Sequence, residues 1–179
     1  MPFNILITGK PGVGKTTVLN QVKLKIEDQN HTVGGVTCPE IRKEGRRVGF
    51  GIMDVSNNRR GILAHTGCEG PKVGKYKVNL KDLDEIGTSA IKYAIKNSDF
   101  IFIDEIAPME LHSKGFCSAV EAAFDSDKPV VAVIHKRSSN TFVSQVKARK
   151  DVSIFEVTHE NREILADEVL NDLKGFFRT

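Results

Sequence analysis

The octapeptide Gly9-Lys10-Pro11-Gly12-Val13-Gly14-Lys15-Thr16 fills every fixed position of the pattern G-x-x-x-x-G-K-[ST]. Such a loop turns successive backbone N–H groups inward around phosphate oxygens. The apolar run Phe3 to Ile7 precedes it, and a helical pattern opens at Lys15. That strand–loop–helix context places a positive helix end at the same point. Gly9, Lys10, Pro11, Gly12, Val13, Gly14, Lys15, Thr16 and Thr17 are thus the candidate nucleotide-binding loop. Lys15 is a mobile point charge for β- and γ-phosphates, and Thr16 offers a hydroxyl to Mg²⁺.

A phosphate loop of this kind needs a second metal anchor, an Asp ending a buried strand. Phe100-Ile101-Phe102-Ile103-Asp104 supplies one, so Thr16 and Asp104 are the expected metal ligands. Glu105 follows directly. A carboxylate just past the metal-binding Asp can orient a water against the γ-phosphate and take its proton, so Glu105 joins Lys15 as a catalytic candidate. Guanine-specific switching is disfavoured: Asp104-Glu105-Ile106-Ala107 is not D-x-x-G, and no N-K-x-D element occurs.

These groups must be held by a fold. The chain has 179 residues, 40% hydrophobic and 27% charged, which suits one packed domain over 1–179 and excludes a disordered or fibrous chain. The net charge of +3 is too small to argue for nucleic acid by itself. Four apolar runs, Phe3 to Ile7, Phe100 to Ile103, Val130 to Ile134 and Ser153 to Val157, lack polar alternation and read as strands buried on both faces. Helical spacing lies between them, as in Val18, Val22 and Ile26, in Leu83, Ile86, Ala90, Ile91 and Ala94, and in Ile164, Leu165, Val169 and Phe176. The alternation predicts an α/β domain with a mostly parallel central sheet flanked by helices. Glycines break that rhythm over 33–78 and predict an antiparallel β insertion, with Glu44-Gly45 turning a hairpin.

Cys38, Cys68 and Cys117 are odd in number, widely spaced and without a C-x-x-C pair, as expected for reduced thiols. No run approaches the ~20 apolar residues of a membrane span, and the start lacks a signal peptide's basic region. The expectation is a cytoplasmic monomer with no membrane partner.

Three blocks together carry a family resemblance: Thr8 through Thr17; Val73-Gly74-Lys75-Tyr76 with Val78; and Ile103-Asp104-Glu105-Ile106 running into Met109-Glu110-Leu111. The chain resembles, over essentially its whole length, the small nucleoside-triphosphatases of the THEP1 type. The resemblance implies a compact RecA-like P-loop domain hydrolysing ATP, GTP and other NTPs slowly, with little base preference. Ala107 departs from the Gly expected there, and Ala fits only if φ stays negative.

Other residues leave two readings each. Glu110 would help hold water or metal, or else cap the helix beginning near Ser113. Arg137, after the strand Val130 to Ile134, would offer positive charge to a transition state, or else lie in a solvated turn before a helix capped by Ser138 or Ser139. Segment 40–60 carries six basic residues against three acidic ones. It reads as a lid, as a polynucleotide contact, or as charge guarding a sheet edge. Beside hydrolysis stand two rival functions: a nucleotide or small-molecule kinase using the basic hairpin as lid, and a nucleotide-dependent binding module.

Overall fold

The computed structural model describes residues 3–177. Five parallel strands form the frame: β1 (Asn4–Gly9), β2 (Val33–Thr37), β8 (Phe100–Ile106), β9 (Val130–Ile134) and β10 (Val152–Val157), side by side in the order β10-β1-β9-β8-β2. Strand β1 is therefore flanked by β9 and β10, with Ile5 opposite Val131 and Asn4 opposite Val152. One strand, β9, separates the loop-bearing strand from the strand that carries Asp104.

Alternate residues of the central strands face two separate cores. Ile5, Ile7, Phe100, Phe102, Val131 and Val133 pack with α1 (Lys15–Glu27) and α6 (Leu165–Asp172). Leu6, Ile101, Ile103, Val130, Ala132 and Ile134 pack with α3 (Ser89–Asn97), α4 (Lys114–Asp125) and α5 (Thr141–Lys147). Both faces are covered, which is why these strands show no polar alternation. Strand β10 differs from expectation. It is an edge strand with Ile154 48% exposed, because β1 pairs only one of its sides.

The glycine-rich region also departs from its expected bounds. Residues 33–37 are not part of an antiparallel insertion; they form β2, parallel to β8 with Gly35 opposite Phe102. Gly35 has φ of +122°, and a Cβ there would come within 1.9 Å of the Phe102 carbonyl oxygen. Only glycine allows so close a backbone approach. The insertion begins at β3 (Glu40–Lys43), which pairs with β4 (Arg46–Asp54) through a turn at Glu44 and Gly45. β5 (Arg60–His65), β6 (Lys72–Val73) and β7 (Tyr76–Val78) complete it. It does not form a sheet of its own. β4 pairs antiparallel with β2, so the insertion extends the central sheet to ten strands.

After β7 a short helical turn, α2 (Leu80–Asp82), runs through a π-helical segment, Leu83–Thr88, into α3. Leu83, Ile86, Ala90, Ile91 and Ala94 are buried together, as their spacing requires. Ile164, by contrast, sits at the start of α6 and is 56% exposed, outside the apolar face assigned to it.

Candidate functional site

The C-terminal ends of β1, β8 and β9 open onto one cleft of about 850 Å³. Loops at this edge are where open α/β sheets hold ligands. The loop from Gly9 leads into α1, whose N-cap Gly14 has φ of +112°, a value that favours glycine over residues with a Cβ. No side chain caps α1 and no acidic residue lies in its first turn, so its leading N–H groups and positive end face the loop. Gly9, Lys10, Pro11, Gly12, Lys15 and Thr16 line the cleft. Val13, Gly14 and Thr17 do not. Val13 is buried in the core beside β1, so its share in a phosphate cradle is limited to backbone.

Lys15 Nζ donates to the Gly9 carbonyl at 2.9 Å, which folds the side chain back over its own loop. Thr16 Oγ1 donates to Asp104 Oδ2 at 2.9 Å. Asp104 is 8% exposed, and burial pushes its carboxyl up to about 6 against the opposing pull of the Thr16 hydroxyl. Two hard oxygens thus meet at the floor of the cleft, the donor type Mg²⁺ prefers.

Glu105 also lines the cleft, although strict strand alternation would send it to the face opposite Asp104. The register explains this: Asp104 pairs with Val133 and Ile106 with Ile134, so Glu105 is an extra residue in a bulge of β8. Bulges re-aim side chains in this way. Burial raises the Glu105 carboxyl, and the Lys15 charge acts against the rise. Ala107, which follows, is not among the residues of positive φ, so the alanine is accommodated without strain.

Glu110 lies in a 3₁₀ turn, Glu110–His112, and is only 3% exposed. It does not cap the next helix. Ser113 does, accepting from the Phe116 amide at 2.9 Å. Oε2 of Glu110 has no hydrogen-bond partner, and burial, then the nearby Glu105 and Asp104 charges, push its carboxyl well above the usual range. Beside it, the half-buried Cys38 thiol is likewise pushed up, first by burial and then by Glu110.

Arg137 lines the opposite rim with His135 and Lys136. Lys147 Nζ donates to the carbonyls of His135 and Lys136 at 2.7 and 2.8 Å, and Lys136 pairs with Glu156. The rim is fixed by these contacts. The helix after it is capped by Asn140, accepting from Phe142 N at 2.8 Å, rather than by Ser138 or Ser139.

Cys38, directly after β2, and the insertion residues Glu40, Arg47, Phe50, Leu63 and Val73 close the cleft. Glu40, Arg47 and Phe50 lie in segment 40–60, and of these only Glu40 and Arg47 belong to the charge pattern noted in the sequence. Cys38, Phe50 and Leu63 carry no local signal of a site, and Val73 stands only in the block that carries the family resemblance; strand pairing in the sheet brings the four together. Glu40 accepts from Arg42 and Arg47, both at 3.0 Å, and Arg47 holds its carboxyl below the usual range.

A strand order with β9 between the phosphate-loop strand and the acidic strand defines a P-loop NTPase fold of the RecA-like class. Comparison with known proteins narrows the class. A family model described as NTPase matches residues 4–170, and the chain belongs to that family. A protein of Thermotoga sp. named nucleoside-triphosphatase THEP1 is 47% identical over 173 residues, 96% of each chain. The Methanopyrus kandleri protein of the same name is 44% identical over 171 residues, 95% of this chain and 94% of that one. The crystal structure of THEP1 from Aquifex aeolicus superposes with a TM-score of 0.84 at 30% identity, covering 96% of this chain and 99% of that one. The solution structure of a human cancer-related nucleoside triphosphatase gives 0.81, also at 30% identity, covering 96% and 97%.

Proposed function

We propose that the protein is a single-domain nucleoside-triphosphatase that hydrolyses ATP, GTP and other NTPs to NDP and phosphate with Mg²⁺ and little base selectivity. The observation that carries this reading is the 2.9 Å contact between Thr16 and Asp104 in a cleft shared with Lys15 and Glu105. Thr16 and Asp104 would hold Mg²⁺, which when bound neutralises charge on the β- and γ-phosphate oxygens. Two side-chain oxygens suffice because Mg²⁺ keeps waters and substrate phosphates as its other ligands. Among the described residues no cluster of three metal-ligating side chains competes with this pair.

The N–H groups of the loop from Gly9 to Thr17 bind the phosphates, and Lys15 leaves the Gly9 carbonyl to meet the β- and γ-oxygens. Glu105 holds a water and accepts its proton as the water oxygen bonds to the γ-phosphorus. The bond to the β,γ-bridging oxygen breaks, and NDP leaves with that oxygen. Arg137 adds positive charge from the rim. Low base selectivity follows from affinity placed in phosphate contacts. We place the protein in the cytoplasm as a monomer; its three cysteines are free, as a reducing compartment requires. No helix among the described residues is long and apolar enough to cross a membrane.

The test is steady-state phosphate release from ATP, GTP, CTP and UTP, with Mg²⁺ and with EDTA. Metal-dependent release from all four supports the reading. Absence of release from every triphosphate removes it.

A further inference from the structure

The cleft is longer than the phosphate loop that opens it. Beyond Asp104 and Glu105 it continues between Glu110 and the insertion strands, where Arg47, Phe50, Leu63 and Val73 form the wall. None of these residues has a part in holding phosphates at the loop.

Three observations describe what this far half is built to hold. The first is Glu110, 3% exposed, lining the cleft with Oε2 unpartnered. A buried carboxyl oxygen without a partner is costly, and a polar group of a ligand would satisfy it. The second is the fixed guanidinium of Arg47. Nε donates to Tyr76 Oη and Nη1 to Glu40 Oε1, each at 3.0 Å. Its central carbon lies 5.1 Å from the Phe50 ring centroid and 5.8 Å from that of Tyr76. Nη2 takes no part in these contacts, so one edge of an immobilised cation remains for an anion. The third is the charge around it. Arg42 shares Glu40 with Arg47, and Lys75 sits 5.3 Å from the Tyr76 ring, so the rim stays positive. Apolar side chains of Phe50, Leu63 and Val73 line the space between.

We propose that the insertion-side half of the cleft is a second ligand site, taking a small organic anion whose carboxylate or phosphate pairs with Arg47 and whose hydroxyl or other polar group meets Glu110. The proposal rests on the nucleotide reading above only for its neighbour: the second ligand would lie beside the γ-phosphate. A polynucleotide fits less well. It needs a track of several cations along an open surface, whereas Arg47 stands in a cleft beside the apolar walls of Phe50, Leu63 and Val73.

The experiment is calorimetric titration of the full chain saturated with Mg²⁺ and the non-hydrolysable AMPPNP. AMP and CMP serve as the phosphate arm, and 4-hydroxybenzoate and pantoate as the carboxylate arm. Binding of at least one probe with Kd below about 1 mM is expected. Arg47→Met, which keeps the stem over the rings, should weaken that binding by at least ~10-fold, and Arg47→Lys should restore part of it. Glu110→Gln should weaken it by about 5-fold. AMPPNP affinity should be unchanged in Arg47→Met, and unchanged melting certifies its fold. If no probe from either arm binds at about 10 mM, or if Arg47→Met binds as wild type does, the proposal is overturned. Failure of AMPPNP itself to bind would remove the nucleotide reading instead, and the same four probes titrated into the free protein would still decide on the second site.

Discussion

Thr16 and Asp104, 88 residues apart in sequence, are joined by a hydrogen bond of 2.9 Å from Oγ1 to Oδ2. The bond reaches from the first turn of α1 to the end of β8, over the intervening strand β9. It links the phosphate loop to the acidic strand and sets the position of both oxygens before any ligand arrives. The hydroxyl favours the ionised carboxylate, yet burial dominates and the carboxyl rises to about 6.

That displacement has a signed consequence for stability. Asp104 is raised from 3.8 to about 6, so its contribution is fully favourable below about pH 4 and is lost as pH rises through 6. The span corresponds to about 3 kcal/mol at about 1.4 kcal/mol per pH unit. In EDTA, Asp104→Asn should therefore be more stable than wild type by ~1–3 kcal/mol at pH 7, with the difference shrinking towards pH 4. Denaturant unfolding at both pH values checks this. Mg²⁺ with AMPPNP should reverse the order at pH 7, because wild type alone offers the metal an ionised carboxylate beside the Thr16 hydroxyl. An Asn variant less stable than wild type in EDTA at pH 7 would show that burial does not dominate at this carboxyl.

Lys15→Ala should abolish turnover without unfolding the protein. The half-buried lysine gives up one loop hydrogen bond, to the Gly9 carbonyl. Loss of its charge at the β- and γ-phosphates should lower kcat by at least ~10²-fold, the scale for one electrostatic contact made to a transition state. Phosphate release and a melting curve on the same preparation decide the matter; near-normal release would remove Lys15 from catalysis.

The base of the nucleotide should matter little. In the proposed reading the loop, Thr16, Asp104 and Glu105 would contact phosphates, metal or water, and none of them would contact a base. Values of kcat/KM for ATP, GTP, CTP and UTP should fall within about 10-fold of one another, or about 1.4 kcal/mol. A thousandfold preference for one base would reveal a base-reading element in the cleft.

Much of this site was legible in the sequence because its signals are local. The phosphate loop is contiguous, and the run Phe100 to Ile103 announces a buried strand ending in an acid. The Glu44-Gly45 turn is local too. What stayed hidden depends on tertiary pairing. Gly34 and Gly35 depress the strand signal of β2, yet Gly35 is required by the closeness of the Phe102 backbone. The extra residue at Glu105 is visible only in the register against β9. Phe50 and Leu63 reach the cleft because the insertion joins the central sheet rather than standing apart from it, and Cys38 because β2, which it follows, pairs with β8. Strand β10 read as buried because its composition is apolar, while its exposure is set by a missing neighbour.

Glu105→Gln is the sharpest test of the chemistry. The bulge that turns Glu105 into the cleft is a backbone feature, so glutamine should occupy the same place with the same size. It can hold a water but cannot take its proton. Lys15, Thr16 and Asp104 remain, so nucleotide should bind as well as before, or more tightly with one negative charge removed. The chemical step should slow by ~10²–10⁴-fold, the usual worth of a positioned general base. Low kcat with unchanged or lower KM would mark a contact that matters only in the transition state. Glu110→Gln is the control. Its carboxyl is buried and pushed well above the usual range, which disfavours the charged form that would orient and deprotonate a water, so its replacement should be much milder for hydrolysis. Should Glu110→Gln abolish phosphate release while Glu105→Gln leaves it intact, the water is held from the 3₁₀ turn and not from the bulge. Should neither variant slow release, the proton leaves by another group, and transfer to a bound acceptor becomes the better account of the cleft.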